Sequence, residues 1–224
     1  MGDSTSDSGL STSRLILVPA VITLVVTILR LVGELQHWPS PWFKTAAGGG
    51  GAIVGIAWLP IIFGPYFALK LTDAGMVSKG AGKTVGLVLL GIVAFVAGGF
   101  ILGAPMVTFP GHEILGLVFI VAAGLMPLAA WPALTKTLIA YGYAARIPVA
   151  ILMFFALRGQ WGTHYDALPP NYAGPSGLLG MYILIGLVPQ LIGWIAYTVL
   201  LGGLAGTIAT AVARRGKTAP VAAS

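Results

Sequence analysis

Hydrophobic residues fall in six long blocks along this chain, and polar residues are largely confined to the gaps between them. The blocks cover 15–35, 52–71, 84–104, 114–134, 137–157 and 178–201. Each is close to the roughly 20 apolar residues that an α-helix needs to cross the hydrocarbon core of a bilayer. The pattern predicts an all-α fold, an integral membrane bundle of six transmembrane helices. It divides the chain into a tail at 1–14, a six-span domain at 15–213 and a second tail at 214–224. Both tails are expected to be disordered and cytoplasmic. The first block is too long for the apolar region of a signal peptide. It has no positive charge ahead of Arg14 and no A-x-A-like site, so it reads as a retained span.

Composition supports the bilayer. The chain is 57% hydrophobic and 8% charged, against about 25% charged in a soluble domain. A soluble protein this apolar could not cover its surface. The 32 glycines would weaken soluble helices, but membrane helices use glycine for close approach. The spacings Gly51/Gly55, Gly82/Gly86, Gly99/Gly103 and Gly202/Gly206 are candidate packing faces, within one chain or between copies. The net charge of +6 flanks the spans and forms no basic patch, which argues against nucleic acid as a partner. Cysteine is absent, which excludes disulfides, a thiolate nucleophile and cysteine-ligated metals.

The loops set an orientation. With the N-terminus inside, the cytoplasmic segments carry Arg14, Lys70, Lys79, Lys83, Lys136, Arg214, Arg215 and Lys217. The outer ones carry only Lys44 and Arg158. Eight against two is a positive-inside bias, and it places both termini in the cytoplasm of a plasma (inner) membrane. Trp38, Trp42 and Trp161 fall in the outer loops, where interfacial aromatics belong. Blocks 2, 4 and 6 share interior prolines (Pro60 and Pro65, Pro127 and Pro132, Pro189), so three helical hairpins are a candidate arrangement.

In this orientation all three histidines lie in outer loops beside acids: Glu34 with His37, His112 with Glu113, His164 with Asp166. Imidazole and carboxylate suit zinc or copper, which makes His37, His112 and His164 candidate metal ligands. The plainer reading is three interfacial polar loops, since no H-E-x-x-H or H-x-x-x-H spacing occurs.

Polar residues inside the blocks are more informative. Thr23, Thr27, Arg30, Glu34 and His37 recur at helical spacing and make one polar face, with Arg30 and Glu34 placed to pair. Gly186, Gln190, Gly193 and Tyr197 make a second stripe. Arg146 lies about 14 Å from the cytoplasmic end of its block, near the midplane, and Gln190 lies at a similar depth. A central arginine costs roughly 2.5–3.5 kcal/mol on insertion scales. With Glu34 as the only acid high in the membrane, one positive charge lacks a partner. Arg146, Gln190, Arg30, Glu34 and Tyr197 are therefore the candidate ligand-binding residues, and the ligand is a small anion or an anionic lipid or quinone. The structural alternative is that Arg146 serves carbonyls freed by Pro148 or Pro189, or snorkels.

Familiar chemistries are missing. There is no membrane-embedded Ser/His/Asp set or aspartate pair, no histidine within a span to ligate haem, and no mid-span lysine for a Schiff base. No resident cofactor is indicated. Two function classes remain. One is a small-solute transporter (anion or proton-coupled) or channel-like protein with a polar path along helices 1, 5 and 6. The other is a non-catalytic accessory or assembly subunit, or a small lipid- or quinone-binding enzyme. The first requires a wet cavity reaching Arg146, and the second a sealed interior.

Overall fold

The first helix is inside out by the standards of a water-soluble protein. In α1 (Thr12–Leu35) the buried residues include Thr23, Thr27, Arg30 and Glu34, while most of its leucines and valines, Leu15 apart, face outward; Val18 is 62% exposed and Thr23 1%. The computed structural model describes residues 11–49, 51–170 and 172–218, with backbone alone at 49 and 215–218. Of the expected tails at 1–14 and 214–224, residues 1–10 and 219–224 lie outside the described residues, whereas 12–14 belong to the first helix and 214–218 to the last. In α3 (Ala81–Gly103) the same inversion holds, with Gly91, Ala94 and Gly98 buried and Leu89, Val93, Val96 and Phe100 exposed. Apolar residues outside and polar or small ones inside is the arrangement that hydrocarbon surroundings select. Among the described residues the chain is helical without strands, and five helices are long and apolar enough to cross a membrane.

The second apolar block departs from expectation. Its helix, α2, is only Leu59–Asp73, 15 residues, about 22 Å long and short of the hydrocarbon thickness. Pro60 sits at the helix start, where its missing N–H costs nothing. Residues 51–58 instead run irregularly, their N–H groups at Ile53 and Val54 donating to the carbonyls of Pro41 and Trp42. A Cβ at Gly55 would stand 2.9 Å from Nη1 of Arg30, so the arginine packs directly on this backbone.

The fourth and fifth blocks divide earlier than their hydropathy suggests. Helix α4 (His112–Leu125) tightens into a 3-10 turn at Met126–Ala129. Then α5 (Pro132–Gly159) begins with Pro132 at its N-terminus, so 132–134 belong to α5. The prolines that suggested a hairpin repeat thus play different parts. Pro127 enters a 3-10 turn, Pro132 starts a helix and Pro65 lies inside one. The last rod is α6 (Leu178–Met181), π-helical turns at Tyr182–Leu187 and Pro189–Gly193, and α7 (Trp194–Thr218).

Two helices organise the bundle. α7 packs on α2, α3, α4 and α5, and α5 also holds α1 and α2. Of the four glycine pairs, Gly202/Gly206 alone makes a tight helix contact. A Cβ on Gly64 of α2 would strike the Gly202 backbone, and one on Gly206 would meet the Gly64 carbonyl at 2.8 Å. Gly82, Gly86, Gly99 and Gly103 face open space, and Gly51 and Gly55 are not helical. A plug of Phe63, Phe67, Trp131, Leu134, Leu138 and Tyr141 fills one end. There Trp131 Nε1 donates to the Met76 carbonyl at 2.8 Å, and the Lys79 N–H to the Ala130 carbonyl at 2.9 Å. This is the lysine-bearing end.

Gly64→Ala should lower thermal stability in detergent by about 1–3 kcal/mol through overpacking. Gly86→Ala, with free space and a helical backbone, should be neutral or stabilising by roughly 0.5–1 kcal/mol. Equal effects in the two variants would refute the close α2–α7 contact.

Candidate functional site

Arg146 stands midway along α5 and is 5% exposed. Its Nη1 donates to Gln190 Oε1 at 3.2 Å, and its guanidinium carbon lies 4.2 Å from the centroid of Trp194. Gln190 in turn donates from Nε2 to Met153 Sδ at 3.4 Å. Tyr197 stands edge-on to Trp194, with centroids 5.0 Å apart, and is not among the residues that line the cavity beside the arginine. The sequence stripe places Gly193 and Tyr197 on the Gln190 face because it assumes α-helical periodicity. The π-helical turns around Pro189 widen the spiral, which turns Tyr197 off that face, while Trp194, one turn after Gln190, stays beside the guanidinium.

Arg146 lines a cavity of about 380 Å³, within the usual range for small-molecule sites. α5 supplies the floor with Arg146, Val149 and Met153. α1 supplies Thr27 and Arg30, and the π-helical rod supplies Leu184, Ile185, Pro189, Gln190 and Trp194. His164, Tyr165, Ala167, Pro169 and Tyr172 form a roof, with Gly48, Ile56 and Ala57 from the connection before α2. Gly48 and Pro169 are also exposed, so the cavity has a rim at the loop end. Toward the lysine end it meets the aromatic plug, where Tyr141 is 1% exposed and bonded at 2.8 Å to Thr23.

The roof is pinned by one carboxylate. Glu34 accepts from Arg30 Nε at 2.7 Å, from the His164 backbone N–H at 2.8 Å and from His164 Nδ1 at 2.6 Å. Arg30 Nη2 also donates to the Lys44 carbonyl at 3.2 Å. Asp166 shapes the turn by accepting from the Gly162 and Thr163 N–H groups and the Thr163 hydroxyl. Tyr165 donates to the Thr27 carbonyl at 3.3 Å. Burial pushes the His164 pKa below its ordinary value, and Arg30 adds to this; the Glu34 hydrogen bond and charge oppose it. His164 is therefore neutral at neutral pH. A carboxylate partner requires the proton on Nδ1, which leaves Nε2 as an acceptor.

The two arginines differ in what surrounds them. Arg30 is matched by Glu34. Arg146 has no carboxylate partner among the described residues, and the Gln190 bond is its one hydrogen bond there. A guanidinium carries five donors, so most of them are left to the cavity.

The three histidines are not brought together. His37 lies beyond the end of α1 at φ 55 and bonds the Leu35 carbonyl. His112 bonds the Phe109 carbonyl and lies 3.4 Å from Glu113. His164 is committed to Glu34. Among the described residues no three His, Asp or Glu side chains form a metal-binding group. The pairing of Glu34 with His164 crosses 130 positions, which local spacing does not reveal. Trp194 and Met153 escaped the sequence reading as well, though Trp194 follows Gln190 by one helical turn. Compared with family models, with curated proteins and with solved structures, the chain finds no match.

The lowered His164 pKa fixes a sign. The unfolded chain takes up the proton first, below about pH 6.5. The His164 contribution to stability is thus full above that pH and is lost as pH falls toward the folded value. Thermal unfolding of the wild type should shift down between about pH 7 and 5.5, and the shift should shrink in His164→Gln. An unchanged pH slope in that variant would remove His164 as its source.

Proposed function

We propose that this is a six-span inner-membrane protein, with both termini cytoplasmic, that binds an anion at Arg146 in a cavity entered from the His164 end, in the manner of a small transporter or channel-like carrier. The observation that carries this reading is the buried Arg146 guanidinium, unmatched by a carboxylate among the described residues and lining a cavity with an open rim. Local field in such a low-dielectric cleft concentrates anions. The plug beneath it corresponds to a site accessible from one face only. An accessory subunit needs a sealed interior, which the cavity disfavours.

The short α2 fits the same reading. Residues 51–58 complete its passage without helical bonds, and irregular backbone at membrane depth is tolerated where it is buried or lines a cavity. Ile56 and Ala57 do line it. Broken helices at binding sites are a recurring feature of carriers. The positive-inside bias supplies the orientation.

The chain has no cysteine, so introduced thiols report cleanly. Met153→Cys and Val149→Cys should react with a membrane-impermeant thiosulfonate added on the outer face and not with reagent added inside; Leu138→Cys should be inert to both. An anionic reagent should outpace a cationic one at Met153→Cys by about tenfold or more, and Arg146→Gln should abolish that preference. A Met153→Cys thiol inert from both faces would mean a sealed interior and end the carrier reading.

A further inference from the structure

The walls of the Arg146 cavity constrain the ligand more than the charge does. Val149, Met153, Leu184 and Ile185 give it a continuous apolar side. A hydrated inorganic anion leaves that surface wet, whereas an alkyl chain covers it. One wall of the cavity also reaches the outer surface of the bundle. Leu184 lines the cavity and yet is 50% exposed. It lies six residues into the last rod, about 9 Å along the helix and so within the hydrocarbon layer. α1 and the π-helical turns both flank the cavity floor on α5 but barely touch one another. Sparse direct packing between α1 and the rod thus leaves this side of the cavity as a candidate gap toward lipid.

We infer that the ligand is a long-chain carboxylic acid taken from the bilayer through this gap, its carboxylate on Arg146 and Gln190 and its chain along the Leu184–Ile185 wall. The inference rests on the proposed anion site at Arg146 and names its substrate class. A permanently charged phosphate head cannot pass a hydrocarbon-level opening cheaply. A carboxylic acid passes as the neutral molecule. Beside Arg146 its O–H ionises, the proton goes to water at the loop-end rim, and the carboxylate stays paired with the planar guanidinium fork. Trp194, beneath the guanidinium, then lies beside the bound head group.

The test uses the full chain in detergent micelles. Probes are dibromostearate, whose bromines quench tryptophan, and stearate, lysophosphatidate, acetate and inorganic phosphate as competitors. Dibromostearate should quench saturably, with much of the amplitude lost in Trp194→Phe, and bind roughly tenfold or more weakly in Arg146→Gln. Stearate should displace it, and the other three should not. Ile185→Trp, which fills the cavity and leaves the arginine intact, should weaken stearate equally and covers the case that Arg146→Gln does not fold. Displacement by acetate or inorganic phosphate would overturn the long-chain assignment and leave the anion site standing. Displacement by lysophosphatidate as strong as that by stearate would overturn the carboxylate. Quenching unaffected by both Arg146→Gln and Ile185→Trp would mark lipid-face adsorption and refute the inference, while the thiol-reactivity preference would still decide the anion site separately.

Discussion

A guanidinium held at the middle of an apolar helix is the constraint around which this bundle is arranged. Insertion scales set its cost at roughly 2.5–3.5 kcal/mol. The structure offsets this locally with two contacts. A hydrogen bond involving a charged group contributes about 1.5–3 kcal/mol, and a desolvated cation–π contact about 2 kcal/mol. The Gln190 bond and the Trp194 face thus balance the burial of Arg146 within the scatter of such values. Among the described residues Arg146 is held without a counterion, and most of its donors are left unspent. A salt bridge would have held it as well and closed the site.

Arg30 shows that alternative in the same molecule. It lies on the same cavity, but Glu34 neutralises it and then spends its remaining lone pairs on His164. Removing one partner of such a buried set leaves an uncompensated charge, which is strongly destabilising. The cluster therefore behaves as a structural clasp between α1 and the roof loop. One arginine fastens the lid and the other faces what lies beneath it.

Much of this was legible in the residues. The inverted face of α1 follows from Thr23, Thr27, Arg30 and Glu34 recurring at helical spacing, because a bilayer gives polar side chains only one place to go. The meeting of Arg146 with Gln190 follows from equal depth on two spans. What failed to show is what periodicity cannot encode. The 52–71 block is apolar throughout, so hydropathy sees a span, yet Pro60 and the close approach of Gly55 to Arg30 delay the helix to Leu59. The π-helical turns change the residue-to-face mapping beyond Gly193, so Tyr197 turns toward Trp194 while Trp194 keeps the place that its spacing from Gln190 gives it. The Glu34–His164 pair belongs to a loop that folds back over the bundle, and no rule of spacing reaches that far. For the same reason the outer-loop histidines, which share a membrane face, do not share a site.

The irregular stretches have a common cause. Outside water, a backbone group without its helical partner must find another inside the protein. Two of the three departures from α-helical backbone within apolar blocks, 51–58 and 182–193, border the Arg146 cavity, and the third, the 3-10 turn at Met126–Ala129, does not. On one side the uncoiled segment gives Arg30 a glycine surface to lie on and donates its own hydrogen bonds to the carbonyls of Pro41 and Trp42. On the other the widened turns aim Gln190 and Trp194 at one guanidinium. Elsewhere α3, α4 and the α2–α7 seam obey ordinary small-residue packing. Regular helices form the wall against lipid, and these two irregular stretches lie where a cavity can absorb them. The site and the distortions are thus one feature of the fold, produced by placing an unmatched positive charge at mid-depth and leaving room beside it.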